Sequence, residues 1–161
     1  MVDTIKTSLV RYFMNTTPST TATYVRMGSG VASAKLEMNP ETTKQTDITE
    51  DNARVSVDSY APTLPIKQIA KNADAIFEFI DALRKARAIS EDAETDIVEV
   101  DAYETGGPTA YPARKQSVSI QIDTFGGDGG KPVEIEYTIN YNGDPIPGTF
   151  NASTSAFTAT S

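Results

Sequence analysis

Three residue types are missing from this chain of 161 residues, and each absence closes off a class of chemistry. Without cysteine there can be no disulfide, no thiol nucleophile and no thiolate metal site. Without histidine the commonest general base and the commonest metal ligand are gone. Tryptophan is absent too, and the seven tyrosines are scattered, which counts against a platform for stacking on a sugar. No stretch reaches the roughly 20 apolar residues of a membrane span. The opening MVDTIKTSLVRYFM lacks a basic region followed by a long apolar run, so no signal peptide is predicted. Positive charge is also short: 14 Lys and Arg against 22 Asp and Glu leave a net charge of −8. Such a surface does not neutralise phosphates, so tight nucleic-acid binding is disfavoured. These absences describe an acidic protein made in the cytoplasm, expected to carry no cofactor, no metal and no catalytic centre.

What the chain does contain is one strong helical signal. In 72–87 (NADAIFEFIDALRKAR) the apolar residues Ala73, Ile76, Phe77, Ile80 and Leu83 recur every three or four positions and form one stripe. Glu78, Asp81, Arg84 and Lys85 fall largely on the other side. Asn72 reads as the N-cap, because its side-chain oxygen can accept from free N–H groups of the first turn. Asp74 suits the positive end of the helix dipole, and Arg84, Lys85 and Arg87 the negative end. The spacing predicts a helix over 73–87, roughly 22 Å long, with Ile76, Phe77, Ile80 and Leu83 as its core residues. Its role is structural: it covers a sheet.

The rest of the chain is patterned for that sheet. Ser8–Met14, Ala22–Met27 and Val31–Met38 read as strands, the last with Ala34, Leu36 and Met38 alternating against Lys35 and Glu37. In Arg54–Asp58, Val55 and Val57 take one side. Pro62 and Pro65 demote Tyr60–Ile66 to an edge strand or an extended connection. In Asp96–Tyr103, Val98, Val100 and Ala102 alternate with acids. The two clearest strands come next. Val118, Ile120 and Ile122 alternate with Ser117, Ser119, Gln121 and Asp123; Val133, Ile135, Tyr137, Ile139 and Tyr141 alternate with Glu134, Glu136, Thr138 and Asn140. The glycine-rich run 125–130 between them suits a hairpin that needs positive φ. The run 142–145 reads as another turn, and 149–150 and 156–158 as short closing strands. The expected fold is α+β and mainly β: a sandwich or curled antiparallel sheet of about eight strands with one flanking helix. The length suits a single domain over 1–161, which can bury roughly two-thirds of its unfolded surface.

One segment breaks the pattern. Over 39–52 (NPETTKQTDITEDN) the single large apolar residue is Ile48. It reads as a long polar loop, and such a loop in a compact domain is usually functional or ordered by a partner.

The chemical motifs do not hold up. A phosphate loop would need glycine where Phe125 stands and a hydroxyl where Pro132 follows Lys131. Asp123, Asp128 and Glu134 do not keep the carboxylate ladder of a calcium loop. Glu134 and Glu136 with Asp123 could in principle pair as acid and base. Two acids on the polar face of a half-buried strand are, however, ordinary solvation.

The order of the segments nevertheless resembles one family. VASAKLEMNP (31–40), the polar run ending in EDN (50–52), SYAPTLP (59–65), the helix with IFEFIDALRKAR, the strand ending in FGG (125–127) and GDPIPGTF (143–150) are similar to the major tail, or tail tube, proteins of long-tailed bacteriophages of Gram-positive bacteria. The likeness covers about residues 25–160 and rests on order and length, not on one diagnostic motif. It implies a structural subunit that assembles into hexameric rings stacked as a hollow tube in the virion tail. It further implies that hairpins join into an inner barrel through which DNA passes without tight binding. The partners would be further copies and the tape measure, tail tip and terminator proteins, with no membrane. On that reading Ser117, Ser119, Gln121, Asp123, Glu134, Glu136, Thr138 and Asn140 face the lumen. Thr42, Thr43, Lys44, Gln45, Thr46, Asp47, Ile48 and Thr49 form an inter-ring loop. The rival readings are a monomeric β-sandwich module binding carbohydrate or a cell surface, and the tube subunit of a tailocin-like particle.

Overall fold

A computed structural model describes residues 2–104 and 106–160. The single-domain reading also takes in Met1, Thr105 and Ser161, which lie outside the described residues. The strands, numbered in chain order, are β1 (Val10–Asn15), β2 (Tyr24–Arg26), β3 (Val31–Ala34), β4 (Pro40–Gln45), β5 (Arg54–Tyr60) and β6 (Thr63–Ile69). After the helix α1 (Ala75–Ala86) come β7 (Glu94–Asp101), β8 (Tyr111–Gly126), β9 (Glu134–Asn151) and β10 (Ala156–Ala159). Eight of the strands form one antiparallel sheet in the order β2-β1-β7-β8-β9-β6-β3, with β10 on the far end of β9. The sheet curls into a half-barrel with the single helix against it, as the fold class read from the sequence requires. β4 and β5 pair only with each other.

The β8–β9 hairpin forms the frame because its alternation is long and regular. Ile120 pairs with Ile139 and Ile122 with Tyr137, so one face is apolar along the register. Onto that face α1 lays Ile76 and Ile80, both essentially without solvent contact, among Val118, Ile135 and Leu64. Phe77 and Leu83, expected in the core, are only partly buried and pack against its margin. Val133 falls outside it: β9 begins one residue later, and Val133 is exposed beside the loop. At the other end of the hairpin, on the opposite face, Phe13, Val98, Val100, Ala113 and Phe150 make a second, smaller core. There the β10 strand crosses so closely that a side chain on Gly148 would collide with the Thr158 carbonyl and the Phe157 ring.

Five local expectations are corrected. The helix begins at Ala75 because Ala73 has φ 64° and lies outside helical space. Its cap is Asp74 and not Asn72, with Asp74 Oδ1 accepting from Ile76 N at 3.1 Å. β6 is an interior strand between β9 and β3 despite Pro65. The β3 pairing is short and shifts in register between its two matched pairs, Val31–Gln68 and Ala34–Ile66, so Pro65 falls outside it. The run 142–145 does not turn the chain. Ser117 pairs with Asn142 and Lys115 with Ile146, leaving Gly143–Pro145 as a bulge within one continuous β9. Finally, 40–45 is strand, not loop, and the polar segment is a hairpin arm with its turn between Gln45 and Arg54. Thr42 and Thr43 suit such a strand because β-branched residues favour extended backbone.

The packing sets an order of stability effects. Ile80→Ala should cost about 2–5 kcal/mol. Phe77→Ala should cost less, since solvent already reaches part of its ring. Urea denaturation that ranked the two the other way round would put Phe77, not Ile80, at the centre of the helix–sheet contact.

Candidate interaction surfaces

The eight residues predicted to face a lumen lie together on one face of the hairpin. In the register Ser119 opposes Asn140, and Gln121 opposes Thr138. The side chains are tied into a polar ladder. Thr138 Oγ1 donates to Asp123 Oδ2 at 2.8 Å, Gln121 Nε2 donates to Asp123 Oδ1 at 2.8 Å, and Asn142 Nδ2 donates to Ser119 Oγ at 2.7 Å. Ser117 shares the face and is exposed. Asp123 sits at a bulge, since Ile122 pairs with Tyr137 and Thr124 with Glu136. Glu94 and Asp96 of β7 join this face opposite Ser119 and Ser117. The face also carries a cation that the hairpin's own pattern did not reveal. Lys67 of β6 places its ammonium 3.2 Å from Glu134 and 3.7 Å from Glu136. Hydrogen bonding to Glu134, before the other contributions, raises the Lys67 pKa above its ordinary value.

The arm is a second surface. Every residue of β4 and β5 is exposed. Thr42 and Lys44 pair with Val57 and Val55, giving one face with apolar character. The other face is polar: Thr43 and Ser56 hydroxyls both donate to Asp58, and Arg54 pairs with Glu50. Of the predicted inter-ring residues, Thr42, Thr43, Lys44 and Gln45 lie in β4. Thr46, Asp47, Ile48 and Thr49 lie in the turn, with Ile48 fully exposed. A two-stranded hairpin with no covered face is marginal by itself in water.

A third feature escaped the sequence reading. Beyond the end of α1 the apolar face of the sheet gives way to a polar cluster. Arg114 Nη1 donates to Asp101 Oδ2 at 2.8 Å, and Nη2 lies 3.1 Å from Glu99 Oε1. Asp101 is buried, and burial raises the Glu99 pKa above the ordinary carboxylate value even beside Arg114. The cluster floors a groove of about 670 Å³ between the arm's base and the β9 bulge. Its walls include Leu36, Met38, Tyr60 and Tyr141. The sequence signal was faint: Glu99 and Asp101 looked like solvated acids alternating with valines, and Arg114 is distant in the chain. Tyr141 was read as an inward residue, and its hydroxyl is buried with no hydrogen-bond partner among the described residues.

Across 97% of its length the chain superposes, at TM-score 0.62 and 13% identity, on all of a chain from the tail of an empty GTA particle solved with helical refinement and C6 symmetry. The two chains share a fold. No family model matches the sequence, and no curated protein matches it. At 13% identity the likeness is one of fold.

The buried phenols predict an alkaline limit to stability. Burial, helped by Glu99 and Asp101, pushes Tyr12 up to about 12, and burial raises Tyr137 and Tyr141 as well. A folded pKa above the unfolded one means that the native state holds its proton more tightly. The associated stability is fully present below the ordinary phenol value near 10 and is lost as pH rises through about 12. Phenolate absorbance should rise first for the exposed tyrosines, then in a cooperative step with loss of the β signal in circular dichroism. Simultaneous titration of all seven tyrosines near the ordinary value with the fold intact would contradict it.

Proposed function

We propose that this chain is the structural subunit of a phage-type tail tube, without catalysis or cofactor, working in the virion tail. The observation that carries the reading is the end-to-end fold likeness to a chain from a C6-symmetric, helically refined tail. On this reading copies close into rings of six, and the rings stack into a conduit for the genome. The segment order in the sequence favours the tails of long-tailed phages of Gram-positive bacteria. The arm supports the reading independently, because a fully exposed hairpin with an apolar face gains stability only against another surface. The polar face of β8–β9 supplies the lumen wall, and the 42–49 stretch bridges successive rings. Tape measure, tail tip and terminator proteins would cap and measure the assembly, and DNA would pass without tight binding.

Negative-stain microscopy of concentrated protein, with and without a tail-tip seed, tests this directly. Rings or tubes are expected. Replacing 42–57 by an Asn-Gly turn removes exposed residues and the half-buried Glu50 and takes nothing from the core, so the melting temperature should stay within a few degrees while assembly is lost. A protein that remains monomeric at every concentration and with every seed would overturn the tube reading and leave the binding-module one.

The lumen assignment has its own test. Reversing the ion triad, with Glu134→Lys, Glu136→Lys and Lys67→Glu together, keeps the pairing but makes this part of the wall cationic. A cationic wall releases counterions from DNA and holds it. Tubes should still form, and genome delivery should slow. Delivery at the parental rate would place this face away from the DNA.

A further inference from the structure

The groove above the Glu99–Arg114–Asp101 cluster and the Val55/Val57 face of the arm are complementary, and both are uncovered. We propose that the groove is the seat of the arm of a second copy of this chain. The arm enters with Val55 and Val57 against the apolar walls and Lys44 directed at the groove's carboxylates. This rests on the self-assembling reading above and names the surface that receives the arm.

Shape and apolarity come first. Val55 and Val57 are 63% and 53% exposed on the arm, while Met38 and Tyr60 are 45% and 56% exposed at the groove. The arm does not lie in its own groove, since every one of its strand residues is exposed and its base residues Asp58, Ser59 and Tyr60 form one wall of the groove. Two such surfaces on one chain that cannot meet within that chain make a heterologous contact, which repeats from copy to copy.

Charge then selects the occupant. The groove's acidic lining residues are Glu99 and Asp144, with Asp58 at the arm's base already accepting from Thr43 and Ser56, against the single guanidinium of Arg114, which Glu99 and the buried Asp101 already share. Among the described residues Asp144 has no ion-pair partner, and neither does Lys44. Lys44 stands directly across from Val55, so the arm presents one cation on its apolar face. The other free candidate, the N-terminal segment 2–6 with exposed Val2 and Ile5, offers Asp3 beside Lys6 and so no net charge to match. Apolar side chains seated around a cation–carboxylate pair exclude water from it, which strengthens the pair.

The chain has no cysteine, so single cysteines report contacts cleanly. Lys44→Cys and Asp144→Cys are made as separate full-length variants with tags of different size, mixed under assembly conditions and oxidised mildly. The expected result is a disulfide-linked heterodimer. Its yield should exceed that of an Asp144→Cys mixture with the exposed helix control Glu78→Cys by at least about tenfold, equivalent to about 1.4 kcal/mol of docking preference. A charge exchange adds a second readout: Lys44→Glu alone should abolish assembly, and Lys44→Glu with Asp144→Lys should restore it. Tubes that form without the Lys44→Cys/Asp144→Cys link overturn the docking and leave the tube reading standing. The link in soluble oligomers that never become tubes keeps the docking and overturns the tube reading. Neither link nor assembly, with the parent chain also failing to assemble, removes both. A link from Ile5→Cys to Asp144→Cys in place of the Lys44→Cys link gives the groove to the N-terminal segment and overturns the proposal.

Discussion

The structure depends on the two-residue period of the β8–β9 hairpin. In an antiparallel pair the side-chain period fixes which face each residue takes, and a slip of one residue would turn the whole set over. Here Val118, Ile120, Ile135, Tyr137 and Ile139 are held on the helix side, and every other contact in the larger core is built on them. α1 could not be stable alone at this length; it exists because this apolar face accepts Ile76 and Ile80. The same register that buries these residues lifts Ser119, Gln121, Thr138 and Asn140 onto the opposite face. Core and polar face are therefore one decision, and a change of register would destroy both together.

Where the bulges fall explains how one hairpin carries two different environments. The bulge at Asp123 and Thr124 lets the carboxylate at 123 reach both Gln121 and Thr138, closing the polar ladder. The bulge at Gly143–Pro145 lets β9 run on past the main core to Phe150, which closes the second core with Phe13. Gly143 supplies the positive φ of 66°, and the Gln116 side chain holds the looped-out backbone at 2.7 Å from Gly143 O. Between the two cores lies the stretch where the helix no longer reaches, and there polar residues take over. Arg114 crosses between Glu99 and Asp101, and the groove opens above them.

The sequence showed what is local and periodic. The long hairpin, the helix and its stripe, and the eight residues sharing a polar face all follow from spacing along one segment. It concealed what depends on strands distant in the chain. Lys67 lies on β6, so its pairing with Glu134 and Glu136 appears only when β6 is docked beside β9. The second core hides in β7, where Ile97 and Val98 are both buried because the strand is covered on both sides. Alternation with acids therefore misled. Pro65 misled in the other direction: its missing N–H argues against an interior strand, but the β3 neighbour is too short and irregular to need it. The 39–52 run looked like a loop because a strand packed against nothing in its own subunit lacks the apolar alternation by which strands are recognised.

That last failure bears on how copies could meet. Each chain carries a net charge of −8, so copies repel wherever their surfaces are broadly exposed to one another. Salt screens this over about 8 Å, leaving short-range apolar and paired contacts to decide association. A broad hydrophobic interface would make the free subunit aggregate. A narrow arm with two exposed valines and one lysine adds little apolar surface to the monomer. It gains appreciable burial only when a groove of the right depth and sign receives it. On the tube reading, repulsion keeps the pool of free subunits dispersed, and each arm–groove contact has to be strong enough locally to overcome it. Contacts repeated around a ring satisfy that condition collectively, whereas a single pair in solution does not. On that reading a subunit built this way stays dispersed alone and coheres only in number, which follows from placing its polar segment on an arm instead of on the core.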